Sequence, residues 1–292
     1  MKNRLLVTGS SGFVGSNFIR NSEQFNITEI DLLSITTDKI NFNNIDSVLH
    51  LAALVHQMKG APEEQYFKVN RDLAFNVAKS AKEQGVKQFV LMSTAKVYGE
   101  STANGGSWSE VSDCAPSDPY GKSKYEAELL IRGLEDDNFK VAIVRSPLVY
   151  GAGVKANMFS LIRLVERFPL LPLGDIRNER SVVYIGNLVA LLTKIIEEQA
   201  SGIFIAGDRS PLSTSEMIKL IAAGFNRKVS LLKVPKFILA GVRRILPSIT
   251  YRLYGSLVLD NSNTNKVLNF TPPYSSEQGI CEMVKWYKTR RK

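Results

Sequence analysis

The chain has 292 residues, 44% hydrophobic and 22% charged, which is the composition of a folded globular protein and too apolar for a disordered one. No apolar run nears the ~18 residues of a membrane helix, so no integral membrane contact is expected; with Cys114, Cys281, His50 and His56 as the only cysteines and histidines, no metal site is expected either. The net charge of +9 is lopsided: residues 1–150 carry 16 Lys/Arg against 18 Asp/Glu, residues 151–292 carry 21 against 10, and no acid stands between Glu216 and Asp260. Such a half suits a polyanionic ligand, a nucleic acid or an anionic membrane, or is a solvated basic face.

In chain order, residues 3–8 form an apolar run that ends in Gly9, and a helix follows over 16–21. The first apolar stretch is too short for a signal-peptide core and runs directly into the glycines, so the cytoplasm is the expected location. Residues 27–33 read as a second strand and 46–53 as a third, ending in small residues. Val69, Leu73, Val77 and Ala81 recur at helical spacing over 69–84, closed by Gly85. Strands are predicted at 88–93 and 141–144, with a helix at 120–134 between them. Strands alternating with helices at this spacing predict an α/β, Rossmann-type doubly wound parallel sheet with ligands at the C-terminal strand ends. This dinucleotide-binding domain spans 1–152. Beyond it, helices are predicted over 157–168, 186–199 and 215–225, and strands over 181–185 and 202–206. Parts of 181–210 complete the sheet, and 153–292 is mainly a smaller mixed α/β substrate-binding lobe.

Thr8-Gly9-Ser10-Ser11-Gly12-Phe13-Val14-Gly15 places three glycines between a strand and a helix. A tight turn, backbone close to a diphosphate and free N–H groups at a helix start are what a dinucleotide needs; an ordinary strand–helix turn is the competing reading. Asp31 stands 22 residues after Gly9, where an acid holds the adenosine ribose, and no cation follows before Lys39. NAD is therefore favoured over NADP, whose 2′-phosphate needs a positive partner.

Ser93-Thr94 ends a buried strand, and Tyr120 and Lys124, four apart, share a helix face. A nearby ammonium stabilises a phenolate, so Tyr120 is expected to titrate below its usual ~10 and to take and return a hydroxyl proton, with Thr94 or Ser93 holding the same substrate oxygen. A solvated Tyr/Lys face is the alternative for this pair taken alone.

The glycine loop, His50-Leu51-Ala52-Ala53, Val69-Asn70, Ser93-Thr94, Tyr120 with Lys124, the stretch Arg145-Ser146-Pro147-Leu148-Val149-Tyr150-Gly151, and Arg180 ahead of Tyr184-Ile185 together resemble the extended short-chain dehydrogenases/reductases of the NAD-dependent epimerase/dehydratase family. The resemblance covers nearly the whole chain. It implies bound NAD, Tyr120 as acid/base, Thr94 as its hydroxyl partner and Lys124 as an additional ligand of the nicotinamide ribose. It further implies a cofactor lined by Gly9, Ser11, Gly12, Phe13, Val14, Gly15, Asp31, Leu32, Leu51, Ala52, Ala53, Asn70, Ser93, Tyr120, Lys124, Pro147 and Val149. Lys96, Tyr120, Asn157, Arg180 and Arg252 would meet a UDP-sugar. Within the family the chain is most similar to bacterial reductases of UDP-4-keto-6-deoxy-N-acetylhexosamines, with UDP-hexose 4-epimerases close behind, both serving surface-polysaccharide synthesis. A 4,6-dehydratase is not expected, because Thr94-Ala95-Lys96 lacks the carboxylates that water elimination needs. The segment between Gly15 and His50 is short for the family by roughly a strand and a helix, so Asp31 would serve either ribose or adenine.

Two readings of other classes stand beside this one. A non-catalytic dinucleotide sensor or assembly subunit would use the same fold without needing the Tyr/Lys pair. A nucleic-acid or membrane-surface binder would use the basic stretch 227–252, whose residues 237–246 form an amphipathic segment; no nucleic acid is expected. Pairing through the helices at 69–84 and 120–134 would make a homodimer.

Overall fold

The structure is a computed structural model describing residues 2–55, 61–103, 105–174, 176–234, 244 and 253–290. The first half runs β1 (Arg4–Thr8), α1 (Phe13–Arg20), β2 (Asn26–Ile30) and β3 (Ser47–His50). A continuous helical run follows, formed by α2 (Glu63–Tyr66), a π-helical stretch Phe67–Leu73 and α3 (Ala74–Glu83); then come β4 (Gln88–Thr94), α4 (Pro119–Arg132) and β5 (Lys140–Ser146). The second half holds β6 (Leu148–Tyr150), α5 (Ala156–Arg167), β7 (Leu170–Gly174), β8 (Val182–Tyr184), α6 (Ile185–Glu197), β9 (Gly202–Ile205), α7 (Thr214–Gly224), β10 (Ser230–Lys233), α8 (Ser262–Val267) and α9 (Ser276–Thr289).

Six strands form one sheet in the order β2-β1-β3-β4-β5-β9, and every pair is parallel. A parallel sheet needs helices on both faces, which is why its strands are apolar on both sides. Leu5, Val7, Val90 and Val144 point to one face and pack on Leu188, Leu192 and Ile195 of α6. Leu6, Val48, Leu91 and Ile143, one residue out of phase, pack on Val77 and Ala81 of α3 and Ala127 and Ile131 of α4. A separate core joins Met158 and Ile162 of α5, Met217 and Ile221 of α7, and Met283 and Val284 of α9.

The doubly wound sheet predicted from the sequence is the one observed, with two differences. Of the stretch expected to complete the sheet, β9 joins its edge, whereas β8 pairs with β6 in a small two-stranded sheet. The reason lies at Pro147, between β5 and β6: proline has no N–H for a ladder, and the chain leaves the main sheet there. The short elements β6, β7, β10 and α8, and the 14-residue α9, were not legible from periodicity. The deficit between Gly15 and His50 is visible as an edge: β2 ends the sheet, and the connection to β3 contains only a 3₁₀ turn at Thr37–Lys39, with Ile40 and Phe42 buried against the sheet.

From β1 the chain passes to β2 on one side and to β3 on the other, so the strand order reverses there. In open α/β sheets the ligand crevice lies at such a reversal, here above the C-terminal ends of β1 and β3.

Candidate active site

The crevice floor is almost pure backbone. Gly9 has φ of +70°, and a Cβ placed on it would lie 2.6 Å from the Ala52 nitrogen; one on Gly15 would lie 2.3 Å from the Gly9 carbonyl oxygen. Only glycine lets the β1 turn, the start of α1 and the Leu51–Ala52 segment approach this closely. Gly12 caps α1 without a side chain, so the first helical N–H groups stay available to an anion. Thr8, at the end of β1, ties the floor together: its hydroxyl oxygen lies 3.0 Å from His50 Nδ1 and accepts the Ala52 N–H at 3.3 Å. The β1–β2 register pairs Thr8 with Ile30, which sets Asp31 beside Gly9 at the strand ends. Asp31 is exposed, and its Oδ1 accepts the Leu33 N–H at 3.0 Å, while Leu32 packs toward the sheet. Ser11 is exposed, Val14 packs on the core beside α6, and the Phe13 ring lies against Gly153. This backbone cradle with an uncapped helix start fits the diphosphate of a dinucleotide, and the residues that would hold it are those of the loop, Asp31 and the 51–53 backbone.

Behind the floor stands α4. Asp118 caps it, accepting the Gly121 N–H at 2.6 Å, and Pro119 pre-sets its first turn. Tyr120, Lys124 and Glu128 follow at four-residue spacing on the face turned to β4. The Tyr120 hydroxyl neighbours that of Thr94, which acts to lower its pKa, and the Tyr66 ring stands edge-on to the Tyr120 ring, with centroids 6.4 Å apart. The predicted Thr94/Tyr120/Lys124 set is thus brought to one place.

Its electrostatics differ from the sequence-based expectation. Burial pushes the Tyr120 phenol up to about 12; the Thr94 hydroxyl opposes this, while Asp118 and Tyr66 add to it. The Lys124 amine does not reach the phenol: it donates to the Met92 carbonyl at 2.8 Å. Burial pulls Lys124 down to about 8, and Glu128 opposes that shift. Residues four apart share a helix face, but a lysine stem reaches past its neighbour to the strand beneath. In the protein by itself, Tyr120 is therefore a protonated donor.

Other predicted cofactor residues have structural partners. Asn70, in the π-helical stretch, exchanges two hydrogen bonds with the Leu54 backbone, at 2.8 and 3.0 Å, and donates to Ser123 Oγ at 3.1 Å, so it clamps the chain beyond Ala53 onto α4. The Ser93 hydroxyl turns inward and donates to Glu128. Pro147 is buried next to Ser146, which pairs with Thr94 across β4 and β5, and Val149 lies half-buried one residue beyond Leu148.

Of the substrate candidates, Lys96 is ion-paired with Asp118 and, at 3.0 Å, with Glu100. Arg180 donates to the Gly255 carbonyl at 2.9 Å; burial lowers its pKa, and the Glu100 carboxylate opposes this. Glu100 thus lies between Lys96 and Arg180, linked through Lys96 to Asp118 at the start of α4. Asn157 is exposed in the first turn of α5. Arg252, His56 and the amphipathic segment 237–246, apart from Arg244, lie outside the described residues. No helix among the described residues is long and apolar enough to cross a membrane.

Two residues of the site escaped sequence reasoning. Glu128 and Arg145 form a buried ion pair at 2.6 Å. The signal was present: a charge inside the apolar run 141–146 demands a buried partner, and Glu128 continues the Tyr120–Lys124 spacing.

The NAD dependent epimerase/dehydratase family matches this chain over residues 5–207. The UDP-glucose 4-epimerase of Vibrio cholerae is 34% identical, covering 96% of this chain and 94% of that protein. An N-acetyl-alpha-D-glucosaminyl-diphospho-ditrans,octacis-undecaprenol 4-epimerase of Escherichia coli O157:H7 is 24% identical over 80% of this chain and 76% of its own. Among solved structures, the UDP-glucuronic acid 4-epimerase from Bacillus cereus in complex with NAD superposes with a TM-score of 0.78 at 20% identity, covering 99% of this chain and all of the other. MoeE5 in complex with UDP-glucose and NAD superposes at 0.76 with 24% identity and the same coverage. A glycine cradle at the strand reversal, a phenol–hydroxyl pair beside it and similarity along almost the whole chain lead to one conclusion: the chain belongs to the NAD dependent epimerase/dehydratase family.

Proposed function

We propose that the protein is an NAD-dependent UDP-sugar oxidoreductase acting at C4, and that the net reaction is epimerisation. The neighbouring hydroxyls of Thr94 and Tyr120, at the same sheet that carries the Gly9–Gly15 cradle, carry the proposal. Of the two outcomes weighed from the sequence, 4-reduction and 4-epimerisation, the 34% identity to a UDP-glucose 4-epimerase favours the second. The absence of a carboxylate at 95 and 96, with Lys96 engaged by Asp118 and Glu100, speaks against 4,6-dehydration.

When bound, NAD would supply the acceptor and donor of hydride and, in its oxidised form, a positive charge. The chain supplies the rest. Tyr120 holds the proton that moves to and from the C4 oxygen, and its raised pKa makes it a donor in the reducing direction. Thr94 holds the same oxygen. Lys124, which burial pulls down to about 8, is an ammonium at neutral pH, and its positive charge one helical turn from Tyr120 favours negative charge developing on the phenol. The 2-residue step from Thr94 to Lys96 and the Lys96–Asp118 pair link the strand end to the helix start that carries Tyr120. Arg180 and the basic second half suit the UDP diphosphate. We also propose a homodimer through α3 and α4, whose Leu129 and Leu130 are exposed; light scattering showing a monomer at all concentrations refutes it.

The test is conversion of UDP-glucose, followed by proton NMR. UDP-galactose forming without net consumption of reductant is the expected result. Stoichiometric NADH oxidation on a 4-keto sugar instead identifies a reductase. Tyr120→Phe lowers kcat by roughly 10²- to 10⁴-fold, and equal turnover by that variant removes Tyr120 from the chemistry.

A further inference from the structure

Beneath the Thr94–Tyr120 pair lies a cluster that the reaction does not consume. Glu128 and Arg145 have side chains 1% and 4% exposed. The carboxylate accepts Arg145 Nη2 at 2.6 Å and Arg145 Nε at 3.1 and 3.2 Å, and it also accepts the Ser93 hydroxyl. Three elements meet on this one group: Glu128 comes from α4, Ser93 from β4 and Arg145 from β5, and the sheet register pairs Ser93 with Arg145 directly. The Arg145 guanidinium also lies 4.7 Å over the Tyr98 ring.

Stability alone does not account for such a pair. Moving two ions out of water costs several kcal/mol each, and apolar residues of similar volume frequently do as well or better. What the pair provides is direction. Ser93 immediately precedes Thr94, and Glu128 lies two turns along α4 from Tyr120, so the carboxylate fixes the hydroxyl-bearing strand end against the phenol-bearing helix. The same carboxylate is the opposite charge acting on the Lys124 ammonium, which His50 faces from β3; Tyr98 and Cys114 are the other titratable groups that feel Glu128.

We infer that Glu128 is a positioning residue for the C4 chemistry: clamped by Arg145, it holds Ser93 and, through it, keeps the Thr94 hydroxyl in register with Tyr120. The inference rests on the proposed activity. It predicts a separation between folding and turnover. Glu128→Met alone leaves Arg145 buried and unpaired and is strongly destabilised. The double variant Glu128→Met/Arg145→Met removes both charges and regains a Tm within a few degrees of the parent, yet its kcat on UDP-glucose stays about 10- to 100-fold low, the size of effect that small misplacements produce. KM changes little, because Glu128 touches no substrate group. The alkaline fall in kcat moves to lower pH, because Lys124 has lost its counter-charge. Ser93→Ala, which removes one hydrogen bond and no charge, lowers kcat in the same direction.

A purely structural pair gives the opposite result: restored Tm brings restored kcat, and the inference falls. Amide hydrogen exchange over residues 93–96 reads the same point without substrate. Faster exchange in the double variant and in Ser93→Ala at unchanged Tm supports positioning, and unchanged protection overturns it. Should the parent protein convert no UDP-sugar, the functional proposal fails while the exchange measurement still decides this one.

Discussion

Acid should destabilise this protein through His50. The ring is fully buried at the end of β3, stacked 5.7 Å from Phe89, with Nδ1 on the Thr8 hydroxyl and Nε2 without a partner. Burial, with the Lys124 ammonium second, pulls its pKa down to about 3 from an ordinary 6.5. The unfolded chain therefore binds a proton below pH 6.5 that the folded chain refuses, and stability is lost as pH falls from about 6.5 toward 3. Between pH 7.5 and 5.0 the single-site linkage relation gives a loss of about 2 kcal/mol. Carboxylates with lowered pKa values, such as Asp46 and Asp136, titrate below that window. The measurement is urea unfolding at pH 7.5, 6.5 and 5.0 for the parent and for His50→Phe. The parent should lose about 2 kcal/mol across the range and the variant markedly less, although its absolute stability is lower because Thr8 has lost its partner. An equal pH slope in both proteins, or the His50 imidazole proton signal, assigned by its loss in His50→Phe, titrating near 6.5 in the folded protein, refutes the reasoning.

Three other outcomes are expected. Gly15→Ala, whose Cβ would meet the Gly9 carbonyl at 2.3 Å, should lower Tm and weaken NAD binding by calorimetry at least tenfold; unimpaired binding would mean that the cradle is not the diphosphate site. Asp31→Arg should shift preference toward NADP, read as the ratio of the two dissociation constants, because a cation at the end of β2 suits a 2′-phosphate. Lys124→Met should abolish turnover yet raise unfolding free energy at pH 7 by roughly 1–3 kcal/mol, since below about pH 8 the fold must keep an ammonium buried and that cost fades as pH rises toward 10.5; a less stable variant would contradict the buried-charge argument.

Much of this was legible in the sequence because it is written in local chemistry. The glycines between β1 and α1, the apolar strand runs, the helical apolar spacing and the four-residue spacing of Tyr120 and Lys124 each follow from neighbours along the chain. They were enough to predict a parallel sheet, the place of its ligand crevice and the hydroxyl pair at β4 and α4. The missing strand beyond β2 was equally readable as a length. Other features depend on groups distant in sequence. Whether Lys124 meets the Tyr120 phenol or the Met92 carbonyl depends on how α4 lies on β4. The inward turn of Ser93, the clamp of Asn70 on Leu54 and the meeting of Arg145 with Glu128 are set by the packing of three layers. Residue order fixes which side chains share a face and which turns need glycine; desolvation and partner choice arise only when the faces close, and those set every pKa in the site.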